Sequence, residues 1–288
     1  MAPQRRLMMT LLGLLVVVVL GAGALLLGGP ASLAGILGDD DDGGRGRGAS
    51  GSAGPADQSV PGTVLLVPGY GGSTSGVQVL AGALERAGRQ VQVVAAVGDG
   101  TGDLADQADA LQRAATEALE AGAPSVDVVG YSAGGVVARL WLAGDGADEP
   151  VRRVVTLGSP HQGTDLARFA AVNAPQDCPE ACQQLSPGSS LLRTLPEIPG
   201  DGTRWTSVWS TSDQVVVPPA DASSLRGAVG IELQRVCSGA RVDHGGLVRD
   251  PLAVGVVDAA LDGAVLEGAP SSSDCDALTT RGRALLTQ

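Results

Sequence analysis

The sequence predicts an α/β fold with a mostly parallel central sheet and helices on both faces. Short apolar runs alternate with amphipathic stretches of ten or more residues, which is typical of parallel strands joined by helices. One apolar run, residues 126–129, leads through a turn of small residues, 130–134, into such an amphipathic stretch. This strand–turn–helix unit is the segment around which the rest of the chain is organised.

Strands and helices can be predicted in order along the chain. The apolar runs that predict strands are residues 63–67, 91–97, 126–129, 151–157, 206–210 and 231–236. The helix after the first strand is predicted to be capped by Ser73 or Ser75 and to stop at Gly88. Apolar periodicity predicts three other helices. One covers residues 103–122, one directly follows the small-residue turn, and the final helix of the chain covers residues 251–266.

The small-residue turn has the sequence Gly-Tyr-Ser-Ala-Gly, a G-x-S-x-G pattern centred on Ser132. A serine on a strained strand-to-helix turn leaves room only for very small neighbours, which explains the glycines. Its hydroxyl lies above the N-terminus of the next helix, where negative charge is favoured. Because five-residue patterns arise by chance in a chain with 43 glycines, the strand before it and the helix after it carry the prediction that Ser132 is a nucleophile rather than part of a structural turn.

A nucleophilic serine needs a base and an orienting acid, which for this kind of turn follow in the chain order serine, acid, histidine. Of the two histidines, His244 follows a predicted strand and is the predicted base. Asp213 follows the strand at residues 206–210 and is the predicted acid. His161 fits the order badly, and it is predicted to satisfy a turn or, less favoured, to hydrogen-bond within the site wall. Three other aspartates fit less well. Asp201 precedes that strand, Asp221 lies further along the loop, and Asp243 directly adjoins the histidine.

A glycine-rich loop, residues 68–72, follows the first predicted strand. Glycines let backbone N–H groups turn outward at a strand end, which suits the binding of an oxyanion. The alternative is an ordinary glycine-rich turn, and the serine pattern elsewhere in the chain favours the functional interpretation.

Four motifs in the same order make the chain resemble the small secreted bacterial triacylglycerol lipases of the α/β-hydrolase fold. They are VPGYGG from residue 67, GYSAGG from 130, TSDQVV from 211 and VDHGGL from 242, and LGSPHQGT from 157 is similar as well. One departure is Pro68, since many such lipases have histidine there; it affects how the loop is anchored, and the backbone donors do not depend on it. The resemblance implies oxyanion donors at the backbone N–H groups of Tyr70 and Ala133.

The expected activity is that of a serine carboxylester hydrolase, a lipase or esterase with a small or absent lid. It would cleave lipid or other acyl esters through an acyl-enzyme on Ser132, without cofactor or metal. One alternative is acyl transfer by the same three residues. Another is a catalytically inactive, envelope-tethered binding module, which the complete set of serine, aspartate and histidine disfavours. Residues 165–204 are expected to form one wall of an acyl groove, a modest cap or a surface excursion.

The four cysteines are an even number beyond an apolar N-terminal segment, which suggests two disulfides in an oxidising compartment. Of the three possible connectivities, the simplest pairs Cys178 with Cys182 and Cys237 with Cys275. The first bond would close a short loop and the second would pin the C-terminal tail to the body.

Residues 1–38 are predicted to be a membrane anchor or a signal peptide. Arg5 and Arg6 precede an uncharged, almost wholly apolar run, residues 7–27, which would span roughly 31 Å as a helix. The length of the run favours an uncleaved anchor over a signal peptide cleaved near residues 32–34. The basic pair orients the N-terminus towards the cytoplasm, so the rest of the chain is expected outside, anchored or secreted.

Residues 39–58 are predicted to be a flexible acidic and Gly/Ser-rich linker, and residues 59–288 to form a single catalytic domain. The net charge of −12, without a basic stripe, argues against nucleic acid as a partner. The expected partners are therefore the ester substrate and, through the N-terminal segment, the membrane, with the protein a monomer.

Overall fold

The computed structural model describes residues 56–198, 202–265 and 268–287. In this part of the chain, six parallel strands form one sheet in the order β2-β1-β3-β4-β5-β6. The strands are β1 Thr63–Val67, β2 Val91–Val93, β3 Val126–Tyr131, β4 Val151–Leu157, β5 Arg204–Trp209 and β6 Val229–Glu232. The predicted α/β fold with a parallel sheet is confirmed. The segments predicted as anchor and most of the linker, residues 1–55, lie outside the described residues.

Ten α-helices accompany the sheet in the described part of the chain. They are α1 Ser75–Arg86, α2 Leu104–Glu120, α3 Ala133–Leu142, α4 Asp165–Asn173, α5 Glu180–Gln184, α6 Ser190–Thr194, α7 Pro219–Ala222, α8 Leu233–Val236, α9 Pro251–Asp262 and α10 Cys275–Leu286. No helix among these residues is long and apolar enough to cross a membrane.

The sheet has a core on each face, because successive side chains of a strand point to opposite sides. Val64 and Leu66 of β1 pack into the core that includes α1 and α9. Leu65 and Val67 pack into the opposite core, with α2 and α3. The expectation of helices on both faces is thereby confirmed.

Two predicted strands are shorter in the structure. The strand predicted at residues 91–97 ends at Val93, because the last bond to β1 is from Val94 N–H to the Leu66 carbonyl. The strand predicted at residues 231–236 is displaced to Val229–Glu232, where its partner β5 ends. The following residues turn into the short helix α8, which buries Leu233 and Val236.

The predicted helix boundaries need three corrections. Neither Ser73 nor Ser75 caps α1, whose N-cap is Thr74 without a side-chain bond. The helix predicted through residue 266 ends at Asp262, because Gly263 adopts a left-handed conformation with φ 88° and caps it. It is also not the final helix, since α10 follows it. By contrast, Asp103 does start α2 as predicted, its carboxylate accepting the Ala105 N–H at 2.9 Å.

Helix α10 depends on contacts from distant parts of the chain. Its sequence contains two threonines and a glycine, which are weak helix formers, so periodicity alone did not predict it. The Cys237–Cys275 disulfide holds its first residue, and Arg281 Nε lies 2.6 Å from the Asp258 carboxylate of α9. The other predicted bond, Cys178–Cys182, is also present. Two disulfides suit an oxidising compartment.

Helices α9 and α10 cross with their backbones in contact at two glycines. A Cβ atom on Gly282 would lie 1.8 Å from the Pro251 carbonyl oxygen, and one on Gly255 would lie 2.0 Å from that of Leu278. Both contacts are with backbone, which cannot rotate away. The crossing therefore requires glycine on both helices.

Gly282→Ala is expected to lower the free energy of unfolding by about 3 kcal/mol, because the added methyl group forces the helices apart. For a domain of this size, that corresponds to a melting temperature lower by roughly 6–12 °C, measured by circular dichroism. Gly239→Ala is the matched control, since a Cβ there meets nothing within 4 Å. An unchanged melting temperature in Gly282→Ala would contradict the close crossing.

Two further segments contact the body of the protein, namely Gln58 and the insertion at residues 165–198. Gln58 is the last residue of the predicted linker. Its carbonyl accepts hydrogen bonds from Arg152 at 3.3 Å and Arg153 at 3.2 Å, which tie it to the start of β4. Within residues 165–198 the insertion forms helices α4, α5 and α6 and is tied to the body. Ala181 N–H donates to the Thr101 carbonyl at 3.1 Å. The insertion also packs against the body, because Ala181, Leu185 and Leu192 belong to the core that includes α2 and α3.

Candidate active site

Ser132 lies between β3 and α3 in a strained backbone conformation. Its φ of 55° and ψ of −124° make it the one non-glycine residue with positive φ among those the structure describes. Its N–H donates to the Leu157 carbonyl at the end of β4, at 2.8 Å. Strain of this kind persists where the surroundings hold it in place, and it is common at functional sites. The predicted strand–turn–helix unit is therefore present, with the serine at its tightest point.

The glycines of this turn are required by close backbone packing. A Cβ on Gly134 would lie 2.3 Å from the Val67 carbonyl oxygen, and one on Gly130 would lie 2.5 Å from the Gly135 Cα. Any larger residue would push the end of β1 or the first turn of α3 away from Ser132. The spacing in G-x-S-x-G thus follows from the contacts of the two flanking positions.

The glycine-rich loop after β1 passes directly beside Ser132. A Cβ on Gly69 would lie 2.9 Å from the Ser132 Cβ. Of the two predicted oxyanion donors, Tyr70 lies in this loop and Ala133 is the first residue of α3. The loop is anchored by its own backbone, since Gly71 N–H donates to the Gly100 carbonyl at 3.1 Å. This contact does not involve the side chain of Pro68.

Asp213 and His244 are in direct contact. His244 Nδ1 lies 2.7 Å from Asp213 Oδ2, and the two side chains are 12% and 1% exposed. The other carboxylate oxygen, Oδ1, accepts the backbone N–H groups of Val215 at 2.8 Å and Val216 at 3.0 Å. The carboxylate is therefore held in one orientation, with one oxygen directed at the histidine.

The competing aspartates lie elsewhere. Asp243 is exposed and accepts the Gly246 N–H at 2.7 Å. Asp221 is also exposed and lies within the short helix α7. Asp201 lies outside the described residues. Among the candidates that the structure describes, Asp213 is the one that contacts a histidine.

Gly158 connects the serine turn with the aspartate–histidine pair. It follows Leu157, the acceptor of the Ser132 N–H, and has a φ of 53°. A Cβ there would lie 3.0 Å from Asp213 Oδ2 and 3.2 Å from His244 Nδ1. No hydrogen bond joins the Ser132 hydroxyl to His244 in the described structure; in enzymes without substrate, such bonds are often long and tighten on binding. The three predicted residues thus converge on one edge of the sheet.

Tyr131 is a residue of the site that sequence reasoning missed. Its hydroxyl donates to the His244 carbonyl at 3.3 Å, and the two rings are 5.1 Å apart between centroids with a tilt of 34°. Burial, and secondly the charge of Asp213, raise the pKa of the Tyr131 hydroxyl to about 12. The G-x-S-x-G pattern leaves position 131 unspecified, so the one available signal was its place beside Ser132.

His161 has a different environment from His244. It is fully buried, its Nε2 lies 3.1 Å from the Thr156 hydroxyl, and its carbonyl accepts from Arg139 at 2.9 Å. Burial, with the nearby Arg139 charge, lowers the pKa of His161 to about 3. His161 is therefore an enclosed imidazole next to the Thr156 hydroxyl, and it has no contact with Asp213 among the described hydrogen bonds.

One small cavity lies next to the glycine-rich loop of the site. A cavity of about 10 Å³, the size of one water molecule, lies beside the glycine-rich loop and is lined by Gly69, Tyr70, Leu104, Ala133 and Val137 among others. A larger groove of about 620 Å³ lies at the opposite edge of the sheet, near Thr63 and Val91 at the starts of β1 and β2. Ligands of open parallel sheets bind at the carboxyl ends of the strands, which favours the serine edge. No cluster of metal-binding side chains occurs among the described residues.

Comparison with solved structures identifies the fold. Aspergillus fumigatus lipase B is 21% identical, with a TM-score of 0.61; the alignment covers 83% of this chain and 64% of that one, so this chain spans under two thirds of that lipase's length. The mature form of Bacillus licheniformis lipase BlEst2 is 18% identical, with a TM-score of 0.57 and coverage of 72% and 94%. At these identities the likeness shows the α/β-hydrolase fold alone.

Sequence comparison identifies the family. No curated protein matches the chain significantly. The family model described as palmitoyl protein thioesterase matches residues 63–221, more than half of the chain, and the match includes Ser132 and Asp213. The predicted resemblance to lipases and esterases is confirmed at the level of the α/β-hydrolase fold, while the secreted bacterial origin is not tested. The chain belongs to the palmitoyl protein thioesterase family.

Proposed function

We propose that this enzyme hydrolyses acyl esters through an acyl-enzyme on Ser132. The observation that carries the proposal is the 2.7 Å contact between His244 Nδ1 and Asp213 Oδ2 at the sheet edge that also holds the strained Ser132 turn. A serine, a histidine and an oriented carboxylate on one edge are the components of nucleophilic acyl transfer to water. The family match over residues 63–221 supports the same chemistry.

In the proposed mechanism, His244 Nε2 takes the proton of the Ser132 hydroxyl as Oγ attacks the acyl carbonyl carbon. Asp213 keeps the proton on Nδ1 and stabilises the imidazolium that forms. The N–H groups of Tyr70 and Ala133 donate to the tetrahedral oxyanion, typically the largest single stabilising contribution. The intermediate collapses, and the leaving group takes the proton from His244. Water then attacks the acyl-enzyme, with His244 again as the base, and the carboxylic acid is released.

The leaving group can be an alcohol or a thiol, because the triad attacks the same carbonyl carbon in both. The family model is named for thioesters of palmitoyl-modified proteins, which supports a thioester as a second candidate substrate. Acyl transfer to an alcohol remains the alternative to hydrolysis, since it uses the same acyl-enzyme. The inactive binding module is disfavoured, because Asp213 is held by two backbone N–H groups in the orientation that a working triad needs.

The test uses one purified protein and its Ser132→Ala variant. A fluorophosphonate should label the wild type at Ser132 and leave the variant unlabelled. Paired substrates of equal acyl length, one a p-nitrophenyl ester and one an N-acetylcysteamine thioester, are then compared over short to long chains. Hydrolysis of either series by the wild type alone supports the proposal. Product analysis in added alcohol separates hydrolysis from acyl transfer, and equal turnover by the variant would contradict the serine mechanism.

We also propose that the enzyme acts outside the cytoplasm, held at the membrane by residues 1–38. Two disulfides within the described chain support an oxidising location. The full-length protein is expected to sediment with membranes, resist high salt and dissolve in detergent. A truncated chain beginning at Ala56, which keeps the Gln58 contacts, should be soluble and equally active on short esters. A mature N-terminus near residue 35, found by mass spectrometry, would instead identify a secreted protein.

A further inference from the structure

We infer that Tyr131 is a positioning residue for His244. It holds the imidazole in the orientation that lets Nε2 reach Ser132, the residue directly after Tyr131. The inference rests on the proposed function, because it assigns Tyr131 a role only if His244 activates Ser132. Tyr131 and Ser132 are consecutive, so the nucleophile and a residue that positions its base belong to the same segment of the chain.

The first support for this inference is that Asp213 constrains only one side of the imidazole. Its carboxylate bonds Nδ1 at 2.7 Å and leaves the ring able to tilt about that bond. His244 itself precedes a short 3₁₀ turn, Gly245–Val248, and does not belong to a strand or an α-helix. Nε2, the atom that must reach Ser132, therefore needs a second constraint.

Tyr131 supplies that constraint in two ways. Its hydroxyl donates to the His244 carbonyl at 3.3 Å, an oxygen that also accepts the Leu247 N–H at 3.3 Å, so the backbone of the histidine is bonded from two directions. Its ring lies against the imidazole, 5.1 Å between centroids. The hydrogen bond fixes the main chain of His244, and the ring limits the tilt of its side chain.

The tyrosine hydroxyl stays a hydrogen-bond donor at every pH below its raised pKa. Burial raises the pKa of its hydroxyl to about 12, so the phenol stays protonated and remains a donor. An aromatic face also favours a neighbouring cation, so the ring suits the imidazolium that forms during proton transfer. Both contacts are available in the step that needs the histidine in place.

The test compares Tyr131→Phe, which removes only the hydroxyl, with Tyr131→Leu, which also removes the ring. Loss of one positioning contact is expected to lower kcat by roughly 3- to 10-fold, and loss of both by roughly 100-fold, with KM nearly unchanged in each. The rate of fluorophosphonate labelling, which also needs His244, should fall in parallel. Trp141→Phe is the matched control, because it removes one buried aromatic hydrogen bond, Nε1 to Gln112 Oε1 at 2.6 Å, on α3 away from His244.

The outcomes separate positioning from simple packing. A graded loss of kcat in the two Tyr131 variants, with Trp141→Phe losing melting temperature but keeping kcat, supports the inference. Unchanged kcat and labelling rate in Tyr131→Leu, with only a lower melting temperature, would overturn it while leaving the serine mechanism intact. Full activity in Ser132→Ala would remove the proposed function, and the inference with it.

Discussion

Ser132→Ala and His244→Ala should each lower kcat for ester hydrolysis by roughly four to six orders of magnitude, while the fold persists. Without the hydroxyl there is no acyl-enzyme, and without the imidazole nothing takes its proton. Because the two residues act as a unit, the double variant should be no worse than either single one. The measurement is kcat on a short p-nitrophenyl ester, with circular dichroism to check the fold.

His161→Ala is the control for the histidine prediction. His161 is fully buried and contacts Thr156 and Arg139, so its removal should lower the melting temperature but keep most of the activity below it. A loss of kcat equal to that of His244→Ala, in a folded protein, would show that His161 is the base.

Asp213→Asn should lower kcat by roughly three to four orders of magnitude, and the geometry explains why so similar a residue fails. Oδ1 of Asp213 accepts two backbone N–H groups, from Val215 and Val216, so the asparagine must keep its carbonyl oxygen on that side. Its NH₂ group then faces His244 Nδ1, which has to act as an acceptor. The proton of the neutral imidazole then lies on Nε2. A protonated Nε2 cannot accept the proton of the Ser132 hydroxyl.

Asp243→Asn is the matched control for this prediction. Asp243 directly precedes His244, is exposed, and bonds the Gly246 N–H through one carboxylate oxygen, which an asparagine can replace. It should therefore retain near-normal kcat. If Asp243→Asn lost as much activity as Asp213→Asn, the assignment of the orienting acid would be wrong.

Local patterns in the sequence predicted most of the sheet and the elements of the candidate site. Strands β1 and β4 have the predicted bounds, because a buried strand is a short run of apolar residues that needs no knowledge of its partner. The serine turn was predicted because its glycines are set by contacts within one strand–turn–helix unit. Asp213 and His244 were predicted from the chain order of acid and base after a serine turn, and the structure brings them into contact.

What the sequence by itself determined is therefore what depends on neighbours along the chain, whereas the tertiary structure decided what depends on distant partners. β2 ends opposite Leu66 of β1, and β6 ends opposite Trp209, the last residue of β5, which no local pattern predicts. Helix α10 is held by a disulfide, an ion pair and a glycine crossing, which together stabilise residues of weak helix propensity. Gly100 as the anchor of the glycine-rich loop, and Tyr131 and Gly158 beside His244, became visible only when strands far apart in sequence lay side by side, because each acts through a contact across the sheet edge.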